Sequence, residues 1–122
     1  MIRGGNATIY VSDMDKAVSF YTQTLGLQLK DRYGNEWAAI DAGDGLILGL
    51  HPASEHAPAG RSGSITVGFL VTEPIDRVVE SLTAKGVVFR GPIQGDPQFP
   101  IRLAFFGDPD GNDLYLCQVQ AL

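Results

Sequence analysis

Histidines, a cysteine, an arginine and a run of carboxylates carry most of the chemistry this 122-residue chain has to offer, and their spacing decides what each can do. His51 and His56 would serve as metal ligands or general bases if they converged. One closes an apolar run and the other lies in a segment rich in Pro, Ala, Ser and Gly, so they sit on different elements and do not read as one metal site. His51 alone stays a candidate base or polar contact. The run Asp108-Pro109-Asp110-Gly111-Asn112-Asp113 has the oxygen density of a calcium loop. Its glycine comes too early, proline takes the second position, and Val119 stands where such a loop needs its glutamate. That stretch reads as a hairpin turn. Gly43-Asp44-Gly45 leads into a strand and not a helix, so it is no phosphate cradle. Cys117 has no cation beside it in sequence and reads as a buried, inert thiol. Arg102 needs a partner wherever it is buried, because an unpaired guanidinium is costly to desolvate; Asp41, Glu36 and a bound ligand are the alternatives.

The elements that must position these residues follow from periodicity. Residues 6–12 are β-branched and aromatic and predict a strand. Ser12 or Asp13 then caps a helix whose apolar side is Met14, Ala17, Val18, Tyr21 and Leu25, closed by Gly26 in a left-handed cap. Strands are expected near 27–32, 36–42 and 45–51, with turns at Tyr33-Gly34-Asn35 and Gly43-Asp44-Gly45. Residues 52–63 lack periodicity and form a linker. The order then repeats: a strand over 64–71, a helix with Pro74 in its first turn and Ile75, Val78, Val79 and Leu82 as its buried stripe, Gly86 as its end, and strands near 87–90, 101–107 and 113–119. Val11 falls on Val71, Ser12 on Thr72, Asp13 on Glu73, Val18 on Val78 and Gly26 on Gly86. An internal repeat of this kind predicts an α+β chain of two βαβββ modules, about 4–51 and about 64–120, within one domain spanning 1–122.

Charge and composition narrow the partners. The net charge of −5 gives phosphate no basic face to meet, which excludes nucleic acid as the main partner and an anionic membrane surface, while permitting a cationic ligand. No stretch is long enough to cross a bilayer and no signal peptide is evident, so a cytoplasmic address is expected. A single cysteine excludes an internal disulfide and suits a reducing compartment.

The stretch Tyr10 to Tyr21 running into Leu25-Gly26-Leu27, and the stretch Phe105 to Asn112, resemble the vicinal oxygen chelate superfamily. That superfamily includes glyoxalase I, extradiol dioxygenases, and fosfomycin- and bleomycin-resistance proteins. The resemblance implies two modules whose sheets form one curved mixed sheet around a single cavity, and chains that pair into homodimers. It also implies metal ligands of the His, Glu or Gln type on the first and last strand of each module. The matching positions here are Asn6, Gly49, Thr66 and Tyr115. Glycine has no donor, Thr and Asn are poor ligands, and a tyrosine phenol is protonated near neutral pH. No metal and no cofactor is therefore expected, and whether the chain is an enzyme stays open.

Strand alternation then assigns the wall of the implied cavity. With Ala7, Ile9 and Val11 toward their helix, Asn6, Thr8 and Tyr10 face the other way; Leu48 and Leu50 leave Gly49 and His51; Leu114 and Leu116 leave Tyr115 and Cys117. Taking Ile101, Leu103 and Phe105 as helix-facing leaves Arg102, Ala104 and Phe106 in the cavity. Trp37 joins them from the strand before Asp41. The expected ligand-binding set is Tyr10, Trp37, Gly49, His51, Thr66, Arg102, Phe106 and Tyr115. Flat rings beside glycine suit a planar small molecule that stacks and is not chelated. The reading is a metal-free small-molecule-binding protein that sequesters an aromatic or cationic compound. The alternative is a glyoxalase-like lyase, isomerase or dioxygenase with a displaced metal site or metal-independent chemistry.

Overall fold

The computed structural model of the chain describes residues 1, 3, 5–60, 66–95 and 101–119. Its contacts divide into two units: one takes Met1–Arg61 with Pro109–Asn112, the other Ser62–Asp108 with Asp113–Leu122.

In the first unit, β1 (Ala7–Val11), β2 (Gln28–Tyr33), β3 (Trp37–Asp41) and β4 (Ile47–Pro52) form a mixed sheet in the order β1-β4-β3-β2. The β1–β4 pair is parallel, with Thr8 opposite Gly49 and Tyr10 opposite His51. The β3–β4 and β2–β3 pairs are antiparallel, and a bulge interrupts β2 between Leu29 and Asp31. Ile9, Val11, Ala38, Ile40, Leu48 and Leu50 are buried on one face, against Met14, Ala17, Val18 and Tyr21. Complete burial of a Leu or Ile side chain stabilises by about 1.5–3 kcal/mol, so this layer fixes the register of the whole sheet. Helix α1 (Met14–Ser19) is capped by Asp13, whose carboxylate accepts from the Lys16 amide at 3.1 Å. Ser12, the other expected cap, is engaged elsewhere. The helix does not stay regular to Leu25: from Phe20 to Thr24 it widens to a π turn, the Leu25 amide reaching back to the Phe20 carbonyl at 3.0 Å. Gly26, at φ 77°, ends it in the left-handed conformation that its position predicts.

In the second unit, β5 (Val67–Leu70), β6 (Arg102–Gly107) and β7 (Asp113–Gln118) pair in the order β5-β7-β6, again with the first and last strands parallel. Helix α2 (Ile75–Ala84) packs on β6 and β7. Its buried layer is Ile75, Leu82, Val87, Ala104, Phe106, Leu114 and Leu116. Pro74 stands at the N-cap position, just before the first turn, and offers no side-chain cap. The buried Gln118 side chain takes that role from β7, its Oε1 accepting from the Ile75 amide at 2.9 Å. The expected strand near 87–90 is not a strand. Only two isolated bridges, Phe89 with Phe106 and Gln94 with Leu103, tie this segment to β6. Gly91 and Gly95 turn left-handed at φ 91° and 95°, and Pro92 between them has no N–H to give a ladder, which is why pairing fails to propagate. The first residues expected in β5, 64 and 65, lie outside the described residues, as do 120–122.

Both units thus repeat β–α followed by antiparallel strands, with Gly49 opposite Thr8 in one and Tyr115 opposite Gly68 in the other. That register supports the pairing of Gly49 with Tyr115 as equivalent last-strand positions. Among the described residues no helix is long and apolar enough to cross a membrane.

Candidate functional site

Side chains alternate across a strand, so the face of the first unit's sheet turned away from α1 carries Thr8 and Tyr10 from β1, Gly49 and His51 from β4, and Trp37 and Ala39 from β3. Trp37 lies flat across Gly49. A Cβ built on Gly49 would stand 2.7 and 2.8 Å from Cζ2 and Cζ3 of the indole and closer still to Cη2. Glycine at this position is therefore what lets the ring lie down on the sheet. His51 meets both neighbouring rings edge-on, with centroids 5.8 Å from Tyr10 and 6.5 Å from Trp37. Its Nδ1 lies 2.9 Å from the Pro52 carbonyl, and a carbonyl can only accept, so that nitrogen carries the proton. Tyr10 and His51 are exposed and Trp37 is half-buried.

The turn at 109–112 holds the end of β1 that bears Tyr10. Asn112 Nδ2 donates to the Tyr10 carbonyl at 3.0 Å, and Asn112 Oδ1 accepts from the Gly60 amide at 3.0 Å. Asp110 accepts from both the amide and the hydroxyl of Ser12. This turn, read from sequence as a plain hairpin tip, is a polar clamp on the aromatic strand.

In the second unit, Tyr115 lies over Gly68 much as Trp37 lies over Gly49, with a Cβ on Gly68 only 2.6 Å from the phenol oxygen. Thr66, also in the expected set, donates its hydroxyl to the Asp113 carbonyl at 3.0 Å. The register places Leu103 and Phe105 on the Tyr115 face, with Phe105 and Tyr115 ring centroids 5.7 Å apart. Arg102 and Phe106 are accordingly not on that face, and the expected placement of both is corrected. Arg102 pairs with Gln118 and Phe106 with Leu114, which puts them on the side that packs against α2. Phe106 is fully buried against Phe89, with centroids 5.3 Å apart. Arg102 finds neither Asp41 nor Glu36 but Asp76 of α2, donating from Nη1 and Nη2 at 2.8 and 3.2 Å. Those hydrogen bonds hold the Asp76 carboxyl below its ordinary range.

The positions that the family likeness marks for a metal fit one poorly. Asn6 Oδ1 accepts weakly from Thr8 at 3.4 Å, Gly49 lies under Trp37, Thr66 is spent on a backbone carbonyl, and Tyr115 covers Gly68. Two neutral oxygens, one phenol and one position without a side chain lack the charge and donor strength a divalent ion needs. Among the described residues no three His, Cys, Asp or Glu side chains gather around one point. A hollow of about 410 Å³ beside the start of α1, missed by the sequence reading, has Asp13, Asp15, Asn35 and Glu36 in its wall. Asp13 is occupied as the helix cap and Asp15 pairs with Arg32 at 2.6 Å. Only three-dimensional proximity joins these two short segments.

Residues 5–116 match the family model described as the glyoxalase/bleomycin resistance protein/dioxygenase superfamily. A protein of Mycolicibacterium smegmatis is 30% identical over 103 residues, spanning 84% of this chain and 81% of that one. Among solved structures, TnmS3, an antibiotic-binding protein from Streptomyces sp. CB03234, is 28% identical with a TM-score of 0.78, covering 98% of both chains. A superfamily member from Sphaerobacter thermophilus is also 28% identical, with a TM-score of 0.73 over 96% of this chain and 97% of that one.

Proposed function

The chain belongs to the glyoxalase/bleomycin resistance protein/dioxygenase superfamily, and within it we propose a binding protein that sequesters a planar aromatic small molecule without a metal. The observation that carries this reading is Trp37 laid across Gly49, with Tyr10 and His51 set edge-on beside it. An indole held against a glycine, half-buried and flanked by exposed ring edges, offers stacking area with little immobilisation cost at the moment of binding. The antibiotic-binding role of TnmS3, with its likeness over nearly the full length of both chains, supports the same class of task. The weak donor set at Asn6, Gly49, Thr66 and Tyr115 favours binding over the metal-dependent lyase, isomerase or dioxygenase alternative.

Two properties go with this reading. The protein acts in the cytoplasm, where its lone Cys117 stays reduced, and copies of the chain pair into a homodimer. Sedimentation at micromolar concentration that shows only the 13.1 kDa species would count against pairing. The test of the function is a panel of planar polycyclic compounds titrated against wild type and Trp37→Ala, with elemental analysis after dialysis. Binding that weakens on loss of the indole, in protein free of stoichiometric metal, is expected. A metal near one per chain, lost with His51 or Tyr115, would favour the enzyme instead.

A further inference from the structure

We infer that the Tyr10–Trp37–His51 face selects a ring compound bearing a hydrogen-bond donor, a phenol-type hydroxyl or ring N–H, which it donates to Nε2 of His51. This deepens the proposed function and rests on it.

The first ground is the tautomer. Because Nδ1 donates its N–H to the Pro52 carbonyl, Nε2 of the neutral ring has a lone pair to offer and no proton. The second is the state of the ring edges. Among the described residues none of the Tyr10 hydroxyl, the Trp37 indole N–H and His51 Nε2 has a hydrogen-bond partner, nor is any of them a buried polar atom left unsatisfied. Tyr10 and His51 are exposed and Trp37 is half-buried, and of the three polar atoms only His51 Nε2 is an obligatory acceptor. The third is the charge around them. Register-paired residues on this face include Asp31 and Asp41 and no Lys or Arg, so the paired rows add negative charge and no counter-charge for an anionic ligand. A neutral ligand donor meets this set of atoms; a carboxylate meets like charge and a lone pair.

The test compares a naphthol with its methyl ether, each titrated against the indole N–H resonance of Trp37, the chain's single tryptophan, in buffer well above the ordinary imidazole range. The ether has the same ring and more apolar surface but no donor, so stacking alone favours it. The naphthol is expected to bind roughly threefold to tenfold more tightly, the size of one partly solvated hydrogen bond. His51→Phe should abolish that preference, the naphthol then binding no more tightly than the ether in the same variant, and His51→Gln, which keeps an acceptor oxygen, should retain part of it. His51 is exposed, and thermal melts of both variants check that they fold. Equal affinities for the two compounds in wild type, or a preference that survives in His51→Phe, would overturn the donor assignment while leaving the ring-stacking reading in place. Failure of both compounds to move the Trp37 resonance would overturn that reading and the inference with it.

Discussion

Gly49→Ala adds one methyl group and tests the centre of the site directly. Gly49 lies in regular β4 without a positive φ, so alanine is conformationally acceptable there and would by itself stabilise by ~0.4–1 kcal/mol through the unfolded chain. Its Cβ, however, would stand 2.7–2.8 Å from two indole carbons of Trp37, where non-bonded carbons prefer about 3.5–4 Å. The indole must then move off the sheet by about an ångström or the strand must bend, a strain of ~1–3 kcal/mol. Because the ring is half-buried and only its far edge is struck, it can yield, and the lower half of that range is expected. The net change in Gly49→Ala alone is thus small, and a single variant would mislead. The informative quantity is the coupling between Gly49→Ala and Trp37→Ala. Urea unfolding of wild type, both single variants and the double variant should give at least ~1 kcal/mol, with alanine at 49 turning stabilising once the indole is gone. Trp37 emission should shift in Gly49→Ala, and binding of planar compounds should weaken with it. Coupling below about 0.3 kcal/mol with unshifted emission would mean that the ring does not lie on the glycine, and the stacking platform would fall with it.

Three further outcomes follow from other contacts. Asn112→Ala removes one hydrogen bond to the Tyr10 carbonyl and one from the Gly60 amide, and should cost ~1–3 kcal/mol in urea unfolding, with faster amide exchange at Gly60; a neutral result would remove the clamp on β1. Gly86→Val places a β-branched residue at φ 97° with open space around it, so only backbone strain opposes it, and a loss of ~1 kcal/mol or more is expected in thermal melts. Asp76 has a lowered carboxyl pKa, chiefly through hydrogen bonds from Arg102, so its contribution is present above the ordinary carboxylate range and fades as pH falls through the lowered value. Asp76 is largely exposed, so the pair contributes less than ~1 kcal/mol, and Arg102→Met should lose only this acid-side dependence in melts between about pH 2 and 6.

The first unit was readable because the apolar residues of β1 and β4 alternate with Tyr10, Gly49 and His51. Ile9 and Val11 on β1, and Leu48 and Leu50 on β4, are separated by polar residues or glycine, so one register buries them all, and Tyr10, Gly49 and His51 are left on the far side with no freedom to be elsewhere. The Met14, Ala17, Val18 and Tyr21 stripe then had one face to cover. What alternation does not encode is distance. The Trp37–Gly49 contact depends on the β3–β4 register that sets Ala39 opposite Gly49, and the Asn112 bond to Tyr10 joins residues 102 positions apart.

Strand β6 shows where the same logic fails and why. From 101 to 106 the sequence runs Ile-Arg-Leu-Ala-Phe-Phe, with apolar residues in both alternating sets, so hydrophobicity alone does not say which set is inward. Taking Ile101, Leu103 and Phe105 as the helix-facing set is the choice that misplaced Arg102. The structure resolves the tie by partners outside the strand. Phe89, held by an isolated bridge, supplies a ring for Phe106, and α2 supplies a carboxylate at Asp76 for Arg102. A long arginine can bury its stem in a helix–sheet layer and still bring its guanidinium to a partly solvated carboxylate, so its charge is a poor guide to the face it occupies. The consequence for the site is direct. Phe105 with Leu103, and not Phe106 with Arg102, share the Tyr115 face, and the cationic contact expected there is replaced by apolar and aromatic surface.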